Sequence, residues 1–196
     1  MLDLPDWARP SDVQPYPIDF GLWLKPATGA EELRVDRKGG RFGAKIVFPA
    51  MPASDAASFI SRFVAACFGE TLRVPFPLLD LPQGSPGAPV VDGAGQAGTT
   101  IALRGLTPGY AVREGYWLTF VDENGRGYLH NNRVPQRVAA DGTVALTVAP
   151  EVRWPFADGA TVLLAKPTIE GRVTGEPWQL PVDRRVRVGF TLEEVA

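Results

Sequence analysis

Cysteine and histidine occur once each in the 196 residues, and both scarcities exclude chemistry. Cys67 has no disulfide partner within the chain, and structural zinc clusters need several cysteines or histidines. One imidazole cannot supply a histidine-based metal site, so any general base built on imidazole has to be His130. An excess of charge of one sign is also missing. The 20 Lys and Arg nearly balance the 22 Asp and Glu, and a net charge of −2 gives no overall pull toward nucleic acid or an anionic membrane. No apolar run approaches the roughly 20 residues of a membrane span, and the N-terminal Met1-Leu2-Asp3-Leu4-Pro5-Asp6-Trp7 is acidic, without the apolar core of a secretory signal. The expectation is synthesis in the cytoplasm, with no membrane insertion and no export by that route.

What the chain has in plenty is punctuation, 21 Gly and 19 Pro, set between short strand-like runs. Ile18 to Leu24 reads as one strand, Glu32 to Arg37 alternates apolar and polar side chains, and Arg41 to Phe48 follows a Lys38-Gly39-Gly40 turn, together predicting an antiparallel meander. The local excess Arg34, Arg37, Lys38 and Arg41 reads as a solvated rim, since Asp36 interrupts it. One helix follows. Ser54 is its expected N-cap, Asp55 complements the helix dipole, and Gly69 is its stop. Phe59, Ile60, Phe63, Val64 and Cys67 form its buried stripe, with Cys67 a small hydrophobe whose thiol burial raises in pKa. Thr71 to Phe76 is a further strand.

Pro77 to Gly98 is dense in Pro and Gly and marks a junction. Beyond it, Thr99 to Arg104, Tyr116 to Val121, Gly127 to His130, Arg133 to Ala139, Thr143 to Val148 and Thr161 to Ala165 are strand candidates. Asn124-Gly125, Asp141-Gly142 and Asp158-Gly159 serve as turns between them. Such spacing predicts a small, partly or fully closed barrel. Ile169 to Val173, a Gly175-Glu176-Pro177 turn, Trp178 to Leu180 and the alternating run Arg185 to Leu192 return to the first sheet. The fold class is therefore mainly β (α+β): a β-sandwich-like domain with one helix, split in sequence, plus an inserted small OB-like β-barrel. Residues 1–82 with 169–196 form the discontinuous domain, 83–98 the linker and 99–168 the barrel.

Motifs with catalytic overtones carry little. Gly93-Ala94-Gly95-Gln96-Ala97-Gly98 matches a dinucleotide fingerprint, but the β-branched run after it cannot open the helix that would face a pyrophosphate. His130 reads as a turn or surface residue beside Asn131 and Asn132, and no nucleophile elbow accompanies it. The carboxylates Asp122, Glu123, Asp141, Asp158, Glu170 and Asp183 fall mostly at turns, where bonding to backbone accounts for them. No catalytic, metal or cofactor residue is expected. Of the aromatics Tyr110, Tyr116, Trp117, Tyr128, Trp154 and Phe156, three (Tyr110, Trp117 and Trp154) are candidates to stack on host-surface glycan from an exposed barrel face.

The split layout resembles the distal tail proteins of long-tailed bacteriophages and of gene transfer agents. In wording the likeness rests on Ile18-Asp19-Phe20-Gly21-Leu22-Trp23-Leu24, Gly93 to Thr99, Arg104-Gly105-Leu106-Thr107-Pro108-Gly109-Tyr110, Tyr128-Leu129-His130 and Pro167-Thr168-Ile169-Glu170-Gly171. The resemblance implies a non-enzymatic structural subunit of a virion tail tip, a homohexameric ring joining the tail tube protein to the hub or baseplate protein. It brings no catalytic residue and no sequence recognition of nucleic acid. The ring would need two complementary surfaces per subunit, for which an exposed sheet edge and the ribbon residues Arg34, Asp36, Arg37 and Arg41 are the candidates. The alternative is a carbohydrate-binding module acting through the barrel.

Overall fold

The chain is mainly β, 47% strand against 8% helix, and the computed structural model describes residues 1–5, 7–78, 81–174, 178–179 and 185–195. The expected Gly175-Glu176-Pro177 turn, Leu180 and Asp183 lie outside the described residues. The first part supplies β1 (Leu2–Asp3), β2 (Asp12–Ile18), β3 (Leu22–Leu24), β4 (Leu33–Val35), β5 (Arg41–Val47), β6 (Met51–Pro52), α1 (Ala53–Cys67) and β7 (Leu72–Pro75). The middle supplies β8 (Gly87–Val91), β9 (Gly98–Leu106), β10 (Ala111–Val112), β11 (Trp117–Val121), β12 (Gly127–Asn132), β13 (Gln136–Arg137), β14 (Val144–Val152) and β15 (Val162–Leu163). Then come β16 (Thr168–Thr174), β17 (Trp178–Gln179) and β18 (Arg185–Glu194).

The main sheet runs β1-β7-β16-β18-β5-β2, with β6 and β17 also paired to β18. The returning strand β18 is its centre, because Val186, Val188, Phe190 and Leu192 alternate with polar residues and all four are buried. Helix α1 packs against that face through Ala56, Phe59, Phe63 and Ala66. Phe59 meets Phe48 edge-on at 4.7 Å, and Phe63 meets Phe190 at 5.1 Å.

Two details of the helix differ from expectation. Ser54 is not the cap: the cap is Pro52, two residues earlier, so the Ser54 hydroxyl lies inside the first turn and turns to Asp55 at 3.3 Å. Cys67 is exposed, because the buried face turns through Ala66, although partial burial still raises the thiol's pKa. The expected strand Ile18 to Leu24 is broken at residues 19–21. The meander is instead one long antiparallel hairpin, with β2 on β5 at its root and β3 on β4 at its tip.

The middle strands form a nearly closed six-stranded sheet, β15-β11-β12-β14-β9-β8, one strand more than the five of an OB barrel. The extra strand is β8, which lies inside the stretch expected as a linker and pairs with β9. The barrel closes where Val90 bridges Thr161 and the Val91 amide donates to Ala160 at 2.9 Å. Closure stops at Pro89, whose nitrogen carries no hydrogen to give. Gly125, Gly142 and Gly159 hold φ near +80° in the three turns read from sequence.

Barrel and sheet meet along β12. Its Asn132 amide donates to Tyr116, which sets the ladder so that the amides of Gly127 and Leu129 point away from β11. Strand β14 pairs β12 only at Asn131 and Asn132. The two leftover amides go to carboxylates of the main sheet: Gly127 N–H to Glu170 at 3.0 Å and Leu129 N–H to Glu194 at 2.6 Å. Glu170 also accepts from Thr71 at 2.8 Å and from Arg73 at 2.8 Å; Glu194 also accepts from the Phe42 amide at 2.9 Å and lies 3.4 Å from Arg153. Both carboxylates are buried. Replacing Glu170 with Leu leaves an amide, a hydroxyl and a guanidinium without their acceptor, so a loss of about 3 kcal/mol is expected. Urea unfolding checks it, and a loss under about 1 kcal/mol would show that the carboxylate does not hold the junction.

Candidate functional site

The tip of the long hairpin stands apart from both cores. Among the described residues, strands β3 and β4 pair only with each other, Leu22 with Val35 and Leu24 with Leu33, around a turn at Pro26 to Gly29. Leu22-Trp23-Leu24 is apolar on both faces, so turning the ribbon over cannot hide it. Trp23 is 54% exposed and Leu33 63%, and Phe20, Leu22, Leu24 and Val35 are exposed with them. A two-stranded hairpin is marginal in water by itself, and a contiguous apolar surface on a water-facing element marks an interaction site. Residues 19–40 form an arm.

The charged candidates serve the arm from within. Arg34 bonds Asp19 at 2.8 Å and Asp36 at 2.5 Å and lies over the Trp23 ring at 5.5 Å. The Gly21 amide and then Arg34 hold Asp19 below the usual carboxylate range. Arg37 is exposed. Arg41 stands over Phe20 at 4.9 Å at the root. Arg34, Asp36 and Arg41 brace the ribbon, and its apolar side chains stay exposed among the described residues.

The β2 edge of the main sheet offers few donors to an added strand. The Phe48 amide donates to Val188, so the even-numbered amides of β5 face β18 and the odd ones face β2. Gln14 and Tyr16 lie opposite Lys45 and Gly43, which puts Pro15 and Pro17 at outward-facing positions. Prolines there leave few donors for another strand.

The three aromatics chosen as glycan contacts are not brought together. Trp117 is wedged into the junction, edge-on to Phe42 at 5.1 Å and against Phe76 at 4.6 Å. Tyr110 packs on the barrel core and its hydroxyl donates to the Gln83 carbonyl, and burial pushes its pKa up to about 12. Trp154 alone offers a ring face, 37% exposed and stacked on Tyr128 at 6.1 Å.

His130 is the reverse of the expected surface residue. It is fully buried on β12, edge-on to Phe120 at 5.1 Å, with Nδ1 3.2 Å from the Tyr128 carbonyl. Asn131 caps nearby carbonyls, and Asn132 is buried. The glycine-rich segment is the β8–β9 hairpin loop, closed by Gln96 bonding back to Asp92 and Ala102. Among the described residues no group of three His, Cys, Asp or Glu is placed to hold a metal ion, and no helix is long and apolar enough to cross a membrane.

Comparison with protein-family models gives no match, and comparison with curated proteins gives none.

The arm is not legible in the sequence, because aliphatic and aromatic residues in a strand ordinarily indicate a half-buried surface. The available signal was the lack of alternation in Leu22-Trp23-Leu24, which suits neither a one-sided sheet nor a solvated loop.

Trp117→Ala opens a hole between Phe42 and Phe76 and should destabilise the chain by about 3 kcal/mol; denaturant unfolding reads this, and a change near zero would return Trp117 to the list of ligand contacts. Burial lowers His130 from 6.5 to about 4, so its neutral form is favoured in the folded state. Stability tied to it is complete above pH 6.5 and is lost as pH falls toward 4, by on the order of 3 kcal/mol. His130→Gln, which keeps a donor and cannot ionise there, should flatten that part of the stability profile; an unchanged slope would contradict the assignment.

Proposed function

We propose that this chain is a non-enzymatic structural subunit of a phage-like tail tip, assembling into a ring that joins the tail tube to the hub or baseplate. The observation that carries the reading is the apolar arm. A subunit that holds a two-stranded ribbon clear of its own cores, with Trp23 and Leu33 more than half exposed, gains by docking that ribbon on a neighbour. An arm on one side and a receiving surface elsewhere make a heterologous contact, and such contacts close into rings when the rotation permits. The blunted β2 edge supports this by discouraging open-ended strand stacking. His130, sealed inside the barrel, supports no general-base role.

A second reading keeps one observation. The exposed Trp154 ring, held flat by Tyr128, is the geometry of a carbohydrate-stacking platform, and weak saturable glycan binding that Trp154→Ala abolishes would favour it.

Light scattering over a concentration series, with negative-stain images, should show a discrete oligomer forming rings. Trp23→Asp with Leu33→Asp should raise its dissociation constant by roughly 1,000-fold, since two anchors of about 2 kcal/mol each are removed, while thermal unfolding stays unchanged. Rings that persist in that variant would refute the arm, and a wild-type monomer at every concentration would refute the ring.

A further inference from the structure

Arg153 lies on the barrel just past β14, and its side chain is only 8% exposed. Its Nη1 donates to the Gly40 carbonyl at 3.0 Å, where the arm returns to the sheet. Its Nη2 is 3.4 Å from Glu194 on the last strand of the main sheet, and its guanidinium lies over Tyr128 of β12 at 5.1 Å. Gly40 sits against the barrel as well: a Cβ there would come within 3.1 Å of the Pro150 side chain. The next residue, Arg41, covers Phe20 at the other root of the arm. One planar fork thus touches the arm root, the sheet and the barrel together, a task that a lysine ammonium cannot reproduce because it lacks the rigid pair of donors.

We propose that Arg153 is a positioning residue that fixes the direction of the arm relative to the barrel, so that the docking arm and the barrel move as one piece. Its importance for assembly rests on the proposed docking role of the arm; the coupling itself rests on these contacts. Trp154 follows Arg153 and stacks on the same Tyr128 ring.

Hydrogen exchange with mass spectrometry on the full chain tests this, in the Trp23→Asp, Leu33→Asp background where assembly does not protect the arm. Arg153→Lys keeps the charge opposite Glu194 and loses the fork. Arg153→Met, with Glu194 kept so that the Leu129 and Phe42 amides retain their acceptor, keeps the bulk and removes both donors, and decides the matter if the first variant fails to fold. In a folded variant, exchange in peptides covering 19–40 should rise about 10-fold while peptides of the β9 core stay as they were. Arm exchange within about twofold of the parent would overturn the proposal. The mass of the wild-type chain is read separately: rings with an unresponsive arm overturn only the coupling, and a monomer with a responsive arm overturns only the ring.

Discussion

The amides of Gly127 and Leu129 face away from β11 at a point where β14 has already turned aside, and two buried carboxylates take the place of the missing strand. Glu170 and Glu194 come from β16 and β18, the strands that re-enter the main sheet after the barrel, so the insertion and its host are joined by the residues that follow the insertion. An unpaired buried amide and an unpaired buried carboxylate are each costly, and each carboxylate removes both penalties at once. The surroundings then fall into place. Arg73 and Arg153 balance the charges, Trp117 fills the apolar ground between them, and Gly171 lets β16 approach β18 where any Cβ would meet the Glu193 carbonyl at 2.1 Å. Burial outweighs Arg153 and the two amides at Glu194 and raises its pKa. Ionising it therefore weakens the fold as pH rises through its folded value, a slope opposite to that of His130.

Much of the architecture was legible because it is written in local patterns. The alternation of β18, the positive-φ glycines after Asn124, Asp141 and Asp158, and the helical spacing of Phe59 and Phe63 each need only a few neighbouring residues. Strand β8 was hidden because Pro86, Gly87 and Pro89 look like a linker, yet Pro89 sits where the barrel seam ends and needs no donor. The Ser54 cap is a fair local inference, overruled because Pro52 caps the helix two residues sooner.

The candidate site was legible only in part, for a different reason. Whether an aromatic residue stacks on a ligand or on its own core depends on what lies across from it, and no local pattern records that. No local pattern separates Trp117 and Tyr110 from Trp154, but the first faces Phe42 and Phe76 from another part of the chain and the second bonds Gln83. The same blindness hid Glu194 and Arg153, separated by 41 residues, and sent His130 to the surface on the strength of its polar neighbours.

Arm and edge together constrain the proposed assembly. Open sheet edges add strands without limit, which leads to fibres, and Pro15 and Pro17 leave β2 few donors with which to do so. An apolar ribbon is specific in another way: it requires a matching surface at a set distance and angle, and that angle is held here by the contacts of Gly40 with Pro150 and Arg153. A rigid arm favours closure at one subunit number, because each contact repeats the same rotation, whereas a loose arm would admit rings of several sizes. Precision in the assembly would therefore depend on a buried arginine about which the arm's own sequence says nothing.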